Sequence, residues 1–141
     1  MDVTVRRAAA ADWKSLTEVD AIAAAGDEAR ADAIRRWCEQ DLVLAAEDES
    51  HRLVGYVTLE YTFFEQGFVT MLMVDAGARR QGIGRCLLDA AKTSCTTEKL
   101  FTSTNVSNLP MQQLLQHAGW TATGILHGLD EADPELFYLS P

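Results

Sequence analysis

Long apolar runs are missing from this 141-residue chain, and with them any stretch of the length that spans a membrane. Cysteine is scarce. Cys38, Cys86 and Cys95 form neither an even disulfide framework nor metal-ligand spacing, so the expectation is three reduced thiols in a cytoplasmic protein without a bound metal. Basic residues are outnumbered, 12 Lys and Arg against 21 Asp and Glu, and a net charge of −9 would repel a phosphate backbone from most of the surface, which excludes a general nucleic-acid binder. Repeats and low-complexity linkers are absent, so nothing marks a second domain. The opening Met1-Asp2-Val3-Thr4-Val5-Arg6-Arg7 alternates like a strand and lacks the apolar core of a signal peptide, so export is not expected. What remains, 48% apolar with a mean hydropathy of −0.07, suits one globular domain over residues 1–141 that buries about two-thirds of its unfolded surface.

Against this acidic background one short segment is basic. Met71 to Leu88 reads as a strand, a short turn, a glycine-bearing loop with Arg79, Arg80 and Arg85, and then an amphipathic helix. Gly82 and Gly84 remove side chains where backbone N–H groups must approach an anion, and the helix that follows offers unpaired donors and the positive end of its dipole. The segment therefore predicts a phosphate site for a small polyanion. It is not a P-loop, which needs Gly-Lys-Ser/Thr, and the dinucleotide fingerprint would want a third glycine where Leu87 stands.

Along the chain, residues 3–8 read as a first strand. Asp12 is placed to cap a helix with Trp13, Leu16, Val19, Ile22 and Ala23 on one face, ended or interrupted by Gly26. A second helix is predicted from Glu28 to Gln40, with Ala31, Ile34, Trp37 and Cys38 inward and Arg30, Asp32, Arg35, Arg36 and Glu39 mostly outward. Leu42–Ala46 and Leu53–Tyr61 flank a polar turn and predict a hairpin. After a turn at Phe63–Gly67, Phe68–Val74 adds a third strand to the same sheet. Leu100–Thr104, a helix from Pro110 closed by Gly119, and strands at Trp120–Leu126 and Leu136–Leu139 complete the chain. The order β, α, α, β, β, β, α, β, α, β, β predicts an α+β fold, helices covering a mostly antiparallel sheet in three layers.

With this element order, Arg79-Arg80-Gln81-Gly82-Ile83-Gly84 resembles the acyl-CoA signature R/Q-x-x-G-x-G/A of the GCN5-related N-acetyltransferase (GNAT) superfamily. A second block, Asn108 to Trp120, is similar to the family's Asn, helix, Gly-aromatic segment, and together the resemblance covers nearly the whole chain. It implies the α/β/α GNAT fold, with a mixed sheet of about seven strands and a splayed fourth and fifth strand pair. It also implies acetyl-CoA as cosubstrate, without a metal. The pyrophosphate would sit on the loop formed by Arg79, Arg80, Gln81, Gly82, Ile83, Gly84 and Arg85. The pantetheine would pair with the strand edge at Leu72, Met73 and Val74, and Asn108 would either hydrogen-bond the cofactor or cap its own helix.

Acetyl transfer needs a neutral amine, a polarised thioester carbonyl and a proton for the leaving thiolate. The resemblance assigns the carbonyl to a backbone N–H near Val74. Many family members place a tyrosine four residues before the glycine of the second block. This chain has Leu115 there, which leaves a water held by Asn105 or Ser107, bulk solvent, or Tyr138 as proton sources. Glu60 is the first candidate for the base, because a carboxylate inside the apolar run Leu53–Tyr61 is partly desolvated, and Glu65 is the second. His127 precedes an acidic loop with Asp130, Glu131 and Asp133 that would attract a cationic amine or simply be solvated. The expected function is direct transfer of an acetyl group to a primary amine of a small molecule. A protein or peptide acetyltransferase and a non-catalytic acyl-CoA-binding module are the alternatives. No nucleic-acid or membrane partner is expected, and the resemblance allows a homodimer.

Overall fold

The computed structural model describes residues 2–141. Seven strands form one mixed sheet in the order β1-β2-β3-β4-β5-β7-β6: β1 (Thr4–Arg7), β2 (Val43–Glu47), β3 (Leu53–Phe63), β4 (Gln66–Val74), β5 (Leu100–Asn105), β6 (Thr121–Leu126) and β7 (Glu135–Leu139). The helices are α1 (Trp13–Val19), α2 (Ala21–Ala24), α3 (Glu28–Glu39), α4 (Ile83–Ser94) and α5 (Leu109–His117). This is the α+β architecture expected from the element order. Its β1–β2, β2–β3, β5–β7 and β6–β7 pairs are antiparallel and its β4–β5 pair is parallel. The chain groups into two compact units, one of residues up to Leu59 with Met71–Thr93, the other of Glu60–Thr70 with Ser94–Pro141.

In the first unit, neighbouring residues of β3 point to opposite faces and so reveal what each face carries. Gly55 faces α4, where a Cβ would lie 3.1 Å from Leu87 Cδ1 and 3.3 Å from Ile83 Cγ2. Its missing side chain lets α4 pack directly on the strand. Tyr56, fully buried, faces α1 to α3 and joins a core with Leu16, Val19, Ile34, Trp37 and Val43, against which Met71 and Met73 also pack. Three layers, helix, sheet and helix, follow from this one strand.

Two local expectations are corrected here. Asp12 does not cap α1 through its side chain. It lies in the last position of a 3-10 turn, Ala10–Asp12, and its carboxylate reaches back to the Ala9 N–H (2.7 Å) and to Arg6 Nη1 (2.9 Å). The helix expected to run to Gly26 breaks earlier, at Asp20, whose backbone is extended (φ −80°, ψ 111°) and whose side chain caps α2 through the N–H groups of Ile22 and Ala23. Ile22 therefore leaves the apolar stripe and is exposed.

In the second unit, β5 lies beside β7, which in turn pairs with β6 at the sheet edge, and Leu115 of α5 is fully buried. The β3–β4 turn, Phe64-Glu65, places both residues in the left-handed region (φ 52° and 64°), a geometry that favours Asn-Gly. Phe63 beside it meets Phe68, Phe101 and Phe137 with ring centroids 4.8, 5.3 and 5.7 Å away.

Candidate active site

The basic loop is built from β4 outward. Past the end of β4, the Asp75 N–H still donates to Val54 O (2.8 Å), and the Asp75 carboxylate takes a bond from Arg52 Nη2 (3.0 Å). A 3-10 turn, Ala76–Ala78, then buries Ala78 and returns its N–H to Asp75 O (2.9 Å). Arg80 follows with φ 64° and Gly82 with φ 80°, so the chain curls through left-handed backbone just before α4. Such curls turn peptide N–H groups toward one concave side. Arg80, unlike Gly82, adopts this conformation at a steric cost of about 1–2 kcal/mol.

The Cys86 N–H donates to Gly82 O (3.1 Å), which makes Gly82 the residue that opens α4 and turns the N–H groups of the first helical turn, beginning at Ile83 and Gly84, toward the loop. A Cβ at Gly82 would meet nothing within 4 Å, so the space in front of the loop is open. Ile83 is 1% exposed, pinned against Gly55, and fixes the helix end in place. Around it, Arg79 and Arg80 are exposed; Arg79 Nε lies 3.5 Å from Val74 O, and the Arg80 guanidinium has no polar partner among the described residues. Arg85 Nε is 3.2 Å from Asp89. Open space, a helix N-terminus and the Arg80 guanidinium fit a diphosphate.

Leu72, Met73 and Val74 lie half-buried on β4, beyond the stretch Gly67–Val69 that pairs with Leu100–Thr102 of β5. The strand edge that the sequence analysis assigned to a ligand is thus outside that ladder.

The remaining candidates belong to the second unit. Glu60, half-buried on β3, accepts a hydrogen bond from Thr70 Oγ1. Tyr138 is 2% exposed and sits opposite Thr102 of β5, yet its hydroxyl has no partner among the described residues and is not sealed from solvent. Asn108 caps α5, its Oδ1 accepting the Met111 N–H (3.2 Å), so the capping alternative is realised while its Nδ2 stays uncommitted. Asn105 and Ser107, offered as water holders, are engaged with the acidic loop: Asn105 Nδ2 with Asp130 (2.9 Å) and Ser107 Oγ with Asp133 (2.6 Å). Cys38 is buried, and its thiol is pushed up to about 11 by that burial, with Asp12 and Glu39 adding to the effect. It is no nucleophile.

The sequence profile of the acetyltransferase (GNAT) family matches residues 9–120. The chain belongs to this family. Acetyl transfer is accordingly its class of chemistry. A GNAT-family acetyltransferase from Bacillus cereus ATCC 10987 is 27% identical, with a TM-score of 0.91 over 99% of this chain and 97% of that one. An N-acetyltransferase from Staphylococcus aureus Mu50 shares the fold at 20% identity, TM-score 0.75, over 99% and 98% of the two chains. So does the diaminobutyrate acetyltransferase EctA from Paenibacillus lautus, whose structure holds L-2,4-diaminobutyric acid and coenzyme A, at 20% identity and TM-score 0.76 over 99% and 95%. No curated protein sequence matches.

This GNAT chain also carries a polar cluster that its sequence did not announce. Asp20 is fully buried and accepts four hydrogen bonds, from Ile22 N–H (2.9 Å), Ala23 N–H (3.2 Å), Tyr56 Oη (2.7 Å) and Arg30 Nη1 (2.9 Å). Burial alone would raise its carboxyl, but the bonds from Tyr56, Arg30 and Ala23 outweigh that and hold it below the usual range. The same burial, with Asp20 beside it, pushes the Tyr56 hydroxyl well above the ordinary phenol range. Arg30 was expected on the outward face of α3; its side chain is instead 19% exposed and turned toward the sheet. The signal that would have found the cluster is a carboxylate in the middle of an apolar helical stripe. Among the described residues no group of His, Cys, Asp and Glu is placed to hold a metal, and no helix is long and apolar enough to cross a membrane.

Proposed function

We propose that this GNAT protein, acting as a single domain over its whole length, transfers the acetyl group of acetyl-CoA directly to the primary amine of a small molecule. The observation that carries this reading is the loop: left-handed Arg80 and Gly82, open space, and the first N–H groups of α4. The diphosphate of coenzyme A would lie on Arg79, Arg80, Gln81, Gly82, Ile83, Gly84 and Arg85, and the pantetheine amides would pair with the edge of Leu72, Met73 and Val74. The Nδ2 of Asn108, left over from its capping bond, is available to the cosubstrate. Acetyl-CoA supplies an activated thioester. In the transfer a C–N bond forms as the C–S bond breaks, the amine gives up a proton, and the sulfur takes one.

For the amine's proton we assign Glu60, whose carboxylate is oriented by Thr70 Oγ1. For the sulfur we assign Tyr138, whose hydroxyl has no competing partner among the described residues, because Leu115 cannot donate a proton. Small amines are favoured over a peptide by the small-molecule acceptor of the Paenibacillus relative. A homodimer in the cytoplasm is part of the same reading.

The test follows free thiol while the protein is given acetyl-CoA with amines, amino acids, polyamines, aminoglycosides and peptides. Thiol release with a small amine supports the proposal. Release with peptides alone, or tight coenzyme A binding without release on any acceptor, overturns it in favour of one of the two alternatives. Gly82→Asp puts a carboxylate against the diphosphate and should abolish coenzyme A binding while the thermal midpoint moves by only a few degrees, about 1–2 kcal/mol of backbone strain at φ 80°. Unchanged binding in that variant would remove the loop from the site.

A further inference from the structure

The acceptor's chemistry is written in the part of Arg30 that Asp20 does not use. A guanidinium has five N–H donors, and its Nε–Nη2 edge grips a carboxylate with two parallel bonds. Arg30 Nη1 is engaged by Asp20 Oδ2 at 2.9 Å and by a longer contact of 3.7 Å to Met71 Sδ, and the guanidinium also bears on the Tyr56 hydroxyl, which shares Asp20 Oδ2 with it. Nε and Nη2 make no hydrogen bond to the described residues, and neither is sealed from solvent: Thr58 Oγ1 is the one buried, unpartnered side-chain oxygen or nitrogen among those residues.

The placement of this edge is fixed rather than incidental. Asp20 is itself saturated by four donors, so it holds Arg30 by one nitrogen without competing for the others. An arginine tethered in this way has already lost most of its rotamer freedom, and a further partner gains two bonds at little additional entropic cost. Met71, which Arg30 touches, immediately precedes the β4 stretch Leu72–Val74. Thr58, with its unpartnered hydroxyl, lies two residues along β3 from Tyr56, hence on the same face of the strand.

We infer that the acceptor carries a carboxylate as well as its reacting amine, and that the Nε–Nη2 edge of Arg30 binds that carboxylate. The inference rests on the acetyltransferase reading above and narrows it from primary amines to amino acids. The amine must approach the thioester beside Leu72–Val74, and Arg30 contacts Met71, the residue that leads into that stretch. Its free donors match an anion, not a polyamine.

The experiment compares the common amino acids with their carboxamides and decarboxylated amines, measuring kcat/KM with acetyl-CoA saturating. Two charge-assisted bonds predict at least about a tenfold preference for the free carboxylate. Arg30→Lys keeps a cation for Asp20 but loses the fork, so the preference should shrink about tenfold, mainly through KM for the amino acid, with KM for acetyl-CoA unchanged. Val43→Ala, a core truncation that touches none of the Asp20 bonds, lowers the thermal midpoint and should leave the preference intact, which separates recognition from mere support of the fold. Equal use of acids, carboxamides and amines, or an unaltered preference in Arg30→Lys, overturns the inference and leaves the acetyltransferase reading standing. No transfer to any amine overturns both.

Discussion

Replacing Tyr56 by phenylalanine removes one oxygen from the most enclosed polar cluster of the protein and nothing else. The ring stays in the core with Leu16, Ile34 and Val43, so no cavity term arises. What is lost is a 2.7 Å bond to a fully buried carboxylate, leaving Asp20 with three donors in place of four. A hydrogen bond to a charged group contributes about 1.5–3 kcal/mol, which for a domain of this size lowers the thermal midpoint by about 5–9 °C.

The loss depends on pH with a defined sign. Asp20 is held below the usual carboxylate range in the folded state, so its stabilisation is complete above its unfolded value of about 3.9 and is lost as pH falls through the folded value. Tyr56 contributes to that lowering. Urea titrations of both proteins should therefore differ by the full amount at pH 7, and the gap should narrow once the pH drops below about 4. A difference under about 0.5 kcal/mol at pH 7, or a gap that widens in acid, would refute the assignment of Asp20 as an ionised, hydrogen-bonded anchor.

Glu60→Gln keeps the size of the side chain and a hydrogen-bonding oxygen for Thr70 but removes the base. kcat should fall about 100-fold or more while coenzyme A affinity, read by calorimetry, stays within about twofold, and an unchanged pH–rate profile would take Glu60 off the reaction. Glu65→Gly relieves a left-handed residue (φ 64°) in the β3–β4 turn and should stabilise the fold by about 1 kcal/mol in a denaturant titration; a loss of stability would mean that the Glu65 side chain supports the turn in a way its exposure does not suggest.

The elements most legible in the sequence were those whose periodicity or turn chemistry had one reading. The β2–β3 hairpin, α3 and the loop from Arg79 to Gly84 lie within a residue or two of where alternation, helical spacing and glycine placed them. The Asp20 cluster was not legible because its logic is non-local. Trp13, Leu16, Val19, Ile22 and Ala23 keep helical spacing across Asp20, and only the arrival of Tyr56 and Arg30 makes an interior carboxylate tolerable. Arg30 was misread for a related reason: charge argues for solvent until a buried partner exists. The Phe64-Glu65 turn left no signal either, since neither residue favours the positive φ it adopts; the nearby aromatic contacts of Phe63 are available to offset that strain.

Leu115 bears on where the chemical difficulty of the reaction lies. It is fully buried and its carbonyl accepts the Trp120 N–H (2.9 Å), so at the position where the family resemblance implied a tyrosine this chain has a core residue that seats the end of α5. The two proton transfers are unequal in any case. A thiol has a pKa of about 8.5, so a departing thiolate is close to stable at neutral pH and needs little help. A primary amine has a pKa of about 10 and is almost wholly protonated there, which withholds its lone pair at a cost of about 4 kcal/mol. A less effective acid at the sulfur therefore costs less than a less effective base at the amine. That asymmetry puts the weight on the base and on whatever holds the amine in place, and a carboxylate gripped by Arg30 would supply that hold while its own charge offsets that of the guanidinium.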